Sequence, residues 1–225
     1  MKAVIWDLDN TIVDTEDLHR HAWQTITRQH GVEYSDEAFR AGYGRNNAEI
    51  LRELLPDPTP AMIATISVQK ETAFRALVQP GAVVLLPGVA DWLDAVRRQG
   101  KWQLVGSSGP MANIVTTIEA LGIADYFLAM LSGATLPRGK PHPDLFLRCA
   151  DAARVPPQEC LVIEDSIHGV EAAHRAGMVC IAVGPLAQSE RLQPFLTAAH
   201  GPNCVAIDSL AALDPVHFMQ QWPLA

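Results

Sequence analysis

The chain has 225 residues, 17 Lys and Arg against 25 Asp and Glu for a formal charge of −8, and 48% hydrophobic composition. That length buries a substantial core, as one domain or as a domain with an insertion, while the acidic balance repels nucleic acid and requires any phosphate site to be locally positive. No apolar run nears the length of a bilayer span and the apolar stretch after Met1-Lys2 is too short for a secretory signal, so no membrane role is expected and a cytoplasmic location is the default.

Ala3-Val4-Ile5-Trp6 reads as a strand buried on both faces, as in a parallel sheet, and it runs directly into Asp7 and Asp9. Such sheets bind ligands beyond the carboxyl ends of their strands, so these acids stand where chemistry is expected; capping of a following helix or turn is the other reading. After Asp14-Thr15-Glu16, Leu18, Ala22, Trp23, Ile26 and Thr27 recur at three- and four-residue spacing, which predicts a helix up to Gly31. Helices are also predicted over 35–43, 46–55 and 60–78, broken by Gly42, Gly44 and the proline cluster at 56–60. From Gly88 the pattern alternates: helix 89–99, strand 102–106, helix 111–121, strand 127–131, helix 142–153, strand 161–164, helix 168–176, then strands 179–183 and 204–207. This predicts an α/β fold with a doubly wound parallel sheet, its core formed by 1–15 and 82–225, and a helical cap over 16–81 inserted after the first strand. Cys149, Cys160, Cys180 and Cys204 have no C-x-x-C pair or zinc-ligand spacing and read as core thiols. Trp23 and Leu51 also read as core.

Three further polar clusters end later strands or lie in the loops after them: Gly106-Ser107-Ser108-Gly109-Pro110, Gly139-Lys140-Pro141-His142-Pro143-Asp144 and Glu164-Asp165-Ser166. In a parallel sheet these positions share one rim, so Asp7 and Asp165 can face each other across a substrate. Two adjacent acids after Leu161-Val162-Ile163 repel each other unless a cation relieves them, although N-capping of the next helix is also open to them. Lys140 lies between two prolines that stiffen its loop, and Asp144 is placed to cap the helix that follows.

Taken together, Asp7-Leu8-Asp9-Asn10-Thr11, Ser107, Lys140 and Glu164-Asp165 resemble the four ordered motifs of the haloacid dehalogenase-like hydrolase superfamily, in its branch of capped phosphatases and β-phosphoglucomutases. The resemblance implies that Asp7 is the nucleophile that becomes an aspartyl phosphate, that Asp9 is the general acid and base, and that Lys140 bridges nucleophile and phosphoryl group. It implies phosphate binding by Ser107, with Ser108 as the competing register, and Mg²⁺ held by Asp7, the Asp9 carbonyl and Asp165, with Glu164 contributing directly or through water. Within the cap it points to His19, Arg45, Asn46 and Asn47 as substrate contacts; His168 and Arg138 border the site in sequence and receive no role. Thr11 matches a threonine of the family's phosphatases, and no lysine is matched to the substrate-binding lysine of the mutase cap. The expected activity is therefore Mg²⁺-dependent hydrolysis of a small phosphate monoester, a sugar phosphate by class, by a monomer. A phosphomutase and a non-catalytic phosphate-binding module are the alternatives.

Overall fold

The computed structural model describes residues 1–42, 45, 47–196 and 204–221. The chain divides into two compact units, Met1–Asp14 with Val84–Ala225, and Thr15–Val83.

The first unit is built on six parallel strands: β1 (Ala3–Trp6), β2 (Trp102–Ser107), β3 (Ala129–Ser132), β4 (Cys160–Glu164), β5 (Val179–Val183) and β6 (Cys204–Ile207), in the order β3-β2-β1-β4-β5-β6. All four residues of β1 are buried because the strand is central, with Ala3 in register with both Trp102 and Cys160. Chain order reverses on the two sides of β1, and the doubly wound sheet expected from sequence is present. Such a reversal leaves a crevice beyond the carboxyl ends of the central strands, where the connections depart to opposite sides. Ile5, Leu104, Val162, Cys180, Phe146 and Val170 form part of one buried apolar cluster. All four cysteines are free and buried, as core thiols should be. Trp6 and Gln103 meet inside the sheet: Trp6 Nε1 donates to Gln103 Oε1 at 3.1 Å, and Gln103 Nε2 donates to the Leu93 carbonyl at 3.0 Å, so neither side chain is buried without a partner.

The second unit is helical: α1 (Glu16–Gln29), α2 (Asp36–Gly42), α3 (Asn47–Leu54) and α4 (Pro60–Leu77). Trp23, Ile26, Tyr34, Phe39, Ile50, Leu51 and Ile66 form its core. Thr59 caps α4 by accepting from the Met62 amide at 3.2 Å, and Pro60 follows where its missing N–H is no loss.

The remaining helices belong to the first unit: α5 (Val89–Arg98), α6 (Met111–Leu121), α7 (Asp144–Ala153), α8 (Ile167–Arg175), α9 (Gln193–Leu196) and α10 (Pro215–Gln221). The last two are absent from the sequence expectation, being four and seven residues long and too short to show a helical period. The helix expected from His142 begins instead at Asp144, because the His142 amide closes a turn on Gly139 at 2.9 Å. Asp144 does not cap it: Pro143 holds the cap position, and the Asp144 carboxylate takes Arg138 at 3.0 and 3.1 Å.

Gly88 starts α5 with φ +85°, and a Cβ there would overlap the backbone of Leu210 and Ala211. Gly88→Ala combines a left-handed alanine with a backbone clash and is expected to destabilise the protein by about 2–4 kcal/mol. A fall in the urea midpoint at unchanged m-value checks this; an unchanged midpoint contradicts it.

Candidate active site

Asp7 follows the last residue of β1 and extends its ladder, its amide donating to the Ile163 carbonyl at 3.0 Å. The chain then turns within a few residues: the Ile12 amide returns to the Leu8 carbonyl at 2.9 Å, and Asn10 takes φ 58°, a left-handed conformation that asparagine tolerates. The next helix, α1, begins at Glu16 behind Thr15. Thr15 holds its cap position, so neither Asp7 nor Asp9 caps that helix.

Lys140 reaches the end of β1 from the loop between β3 and α7. Its Nζ lies 2.5 Å from Asp7 Oδ1 and 2.6 Å from Glu164 Oε1, and donates to the Gly106 carbonyl at 3.3 Å. The side chains of Lys140, Asp7 and Glu164 are only 6%, 10% and 1% exposed, so the three charges interact with little solvent screening. The lysine loop is anchored by the Arg138–Asp144 pair and by Arg175, which donates to the Pro141 carbonyl at 3.1 Å.

Glu164 ends β4. Its Oε2 accepts from both the amide and the hydroxyl of Ser166, at 2.7 and 2.9 Å, while Ser166 caps α8 by accepting from the Gly169 amide. A Cβ at Gly169 would overlap the Glu164 carboxylate, so a glycine is required where the acid folds over the start of α8. Capping thus falls to Ser166 and not to the acid pair. One Glu164 oxygen is held by Lys140 and the other by Ser166.

Burial alone would lower the Lys140 ammonium, but the charges of Asp7 and Glu164 outweigh it and raise it, so this lysine stays charged. Burial raises Asp7, Lys140 draws it back, and Glu164 raises it again. The net effect raises Asp7 to about 7, with the Lys140 ammonium opposing the rise. Asp165 is pushed up to about 9, by burial first and then by Glu164 and Asp7, with the lysine ranking behind both acids, so of this group it is the carboxyl that most resists ionising until a cation offsets its neighbours.

Four carboxylates, those of Asp7, Asp9, Glu164 and Asp165, therefore influence one another around a single lysine. Hard oxygen donors in negative excess fit Mg²⁺, which takes one or two carboxylates and keeps several waters. Among the described residues no three His, Cys, Asp or Glu side chains converge as a ready cage.

At the end of β2, Ser107 is 2% exposed and its hydroxyl accepts from the Gly109 amide at 3.1 Å, whereas Ser108 is exposed. Pro110 stands at the cap position of α6 without a side-chain cap, and no acid occupies the first turn, so that helix start suits an anion.

In the helical unit, His19 stacks on Phe74 with ring centroids 3.9 Å apart, and its Nδ1 lies 2.9 Å from Lys70 Nζ. Lys70 is 3% exposed, pairs with Glu71 at 3.0 Å, and Asn47 donates to the same Glu71 oxygen at 2.7 Å. No lysine of this region stands out in the sequence; a lysine within a helical pattern reads as a solvated one, and only packing reveals this one as buried. Arg45 is bidentate on Glu53, at 2.9 and 2.6 Å, so its charge is already met. Asn46 lies outside the described residues. Trp23 and Leu51 are core residues, and His168 is exposed.

A family model described as haloacid dehalogenase-like hydrolase matches residues 4–183, from β1 to the end of β5. The chain belongs to the haloacid dehalogenase-like hydrolases. This hydrolase is 30% identical over 191 residues to protein CbbY of Cereibacter sphaeroides, covering 80% of this chain and 83% of that one. It is 31% identical over 190 residues to the fructose-1-phosphate phosphatase YqaB of Escherichia coli, covering 80% and 95%. A crystal structure of a CbbY variant from Rhodobacter sphaeroides in complex with xylulose-1,5-bisphosphate superposes with a TM-score of 0.80 at 28% identity, covering 95% of the hydrolase and 96% of that chain.

Proposed function

We propose that the chain hydrolyses a small phosphate monoester, a sugar phosphate by class, through an aspartyl phosphate on Asp7. The observation that carries this reading is Lys140 Nζ clamped between Asp7 and Glu164 beyond the carboxyl end of the central strand. A nucleophilic carboxylate must approach a phosphate of its own sign, and a fixed ammonium beside it offsets that repulsion.

In the first step an oxygen of Asp7 attacks phosphorus, the bond to the leaving alcohol breaks, and Asp9 gives its proton to the departing alkoxide. In the second, Asp9 as carboxylate takes a proton from water, the water oxygen attacks phosphorus, and the bond to Asp7 breaks, restoring both acids. Lys140 holds the attacking oxygen and neutralises the phosphoryl group. Ser107, with Ser108 and the first amides of α6, binds the other phosphoryl oxygens. Mg²⁺, when bound, supplies positive charge that shields the phosphoryl oxygens, and Asp7, the Asp9 carbonyl and Asp165 would hold it. Glu164 we assign to fixing Lys140. Substrate selection we assign to the helical unit, to His19 and Lys70, with Arg45 as a further contact.

A phosphomutase is the second reading. The chain is 31% identical over 191 residues to the β-phosphoglucomutase of Bacillus subtilis, and Lys70 beside His19 supplies a cationic side chain in the helical unit.

The test is phosphate release from fructose 1-phosphate, xylulose 1,5-bisphosphate, phosphoglycolate and β-glucose 1-phosphate, with Mg²⁺ or with chelator. Release from a sugar phosphate is expected, falling at least about 100-fold in chelator because uncompensated charge then opposes attack. Conversion of β-glucose 1-phosphate without net release would favour the mutase, and no turnover of any ester would remove both readings.

A further inference from the structure

We infer that Ser132 is a positioning residue for the phosphate-binding turn, holding the Ser107-Ser108-Gly109 backbone in the shape that receives a phosphoryl group. The inference rests on the reading of that turn as the phosphate site.

Ser132 ends β3 in register with Ser107 at the end of β2, so the two serines are neighbours on the same rim of the sheet. The Ser132 hydroxyl donates to the Gly109 carbonyl at 2.6 Å and accepts from the Ala134 amide at 3.2 Å. The next residue adds a second tie, the Gly133 amide donating to the Ser107 carbonyl at 2.8 Å. Gly109 is therefore gripped on both sides: its N–H goes to Ser107 Oγ and its C=O to Ser132 Oγ. A serine hydroxyl has one proton, and that of Ser132 is spent on Gly109. It has none left for a phosphoryl oxygen, so Ser132 acts through the turn and not as a ligand.

The division of labour follows from this. Ser107 Oγ accepts from Gly109, which leaves its own proton to donate to an anion, and that arrangement persists only while the two peptide units that meet at Gly109 keep their orientation. Gly109 has no side chain to resist rotation, and Pro110 after it contributes no amide. A hydroxyl reaching across from β3 supplies the restraint that the turn's own sequence lacks.

The experiment measures binding of inorganic phosphate, in the presence of Mg²⁺, to wild type, Ser132→Ala and Ser132→Thr by titration calorimetry, with the unfolding midpoint of each. Ser132→Ala is expected to weaken phosphate about 5- to 30-fold while its midpoint changes little, and Ser132→Thr, which keeps the hydroxyl, to restore most of the affinity. Equal phosphate affinity in wild type and Ser132→Ala overturns the inference and leaves the phosphate site standing. Wild type that binds no phosphate removes the site, and the inference falls with it.

Discussion

Asp7→Asn is expected to reduce phosphate release by at least about 1,000-fold, since an amide cannot form the acyl phosphate that divides the reaction into two steps. Loss of fold should not accompany it. Burial disfavours the Asp7 carboxylate, the substituted amide is neutral and of the same shape, and Lys140 retains Glu164 at 2.6 Å. The variant should therefore keep a normal unfolding transition and still bind inorganic phosphate with Mg²⁺. Turnover by Asp7→Asn within tenfold of wild type would exclude an aspartyl phosphate at this position. A variant that binds phosphate without turnover is also what separates an enzyme from a passive phosphate-binding module: the substitution then removes an activity the wild type has.

Lys140→Met should lose both activity and stability, and for separable reasons. Removal of the ammonium leaves Asp7 and Glu164 buried with no counter-charge from that side, and breaking a buried pair in this way costs about 3–5 kcal/mol. Activity should fall about 100- to 10,000-fold, the range seen when a fixed electrostatic contact in an active site is deleted. The double variant Lys140→Met with Glu164→Gln relieves the stranded charge, so most of the lost stability should return while activity stays low. Denaturant titration together with the release assay resolves the two effects. If the single variant unfolds at the wild-type midpoint, the Asp7–Lys140–Glu164 cluster is not the stressed element described here.

Much of this site could be read from the residues because strand ends announce themselves. Ala3-Val4-Ile5-Trp6 and Leu161-Val162-Ile163 are apolar runs that stop at acids, and a parallel sheet brings such stops to one rim whatever their separation in sequence. The strands at 179–183 and 204–207 and the helix at 111–121 follow from the same contrast. What was not legible depends on side-chain direction. No spacing rule tells that Glu164 turns one oxygen to Lys140 and the other to Ser166, or that Asp144 prefers Arg138 to the helix it begins. Ser132 acquires its place only through the register of β3 on β2, a non-local fact. Lys70 is hidden for the opposite reason: a lysine in a helix predicts solvent, and the aromatic faces of Trp23 and Phe74, 5.4 and 5.7 Å from its ammonium, come together only in the folded unit.

The central position of β1 has a consequence for how the chain acquires its structure. Ala3 is paired with Trp102 and Cys160, so the first strand to be synthesised waits for distant segments before either of its edges is satisfied. Closing such long loops is slow, whereas the contacts of the helical unit are contained between residues 15 and 83 and form early. During that interval a naked, β-prone Ala3-Val4-Ile5-Trp6 segment is open to pairing with other chains. Asp7, Asp9 and Asp14 follow it closely, and charges flanking an unavoidable apolar strand discourage such pairing. The acids that follow the first strand thus also guard the nascent chain, and replacing several of them at once would reduce the yield of refolded protein before any question of catalysis arises.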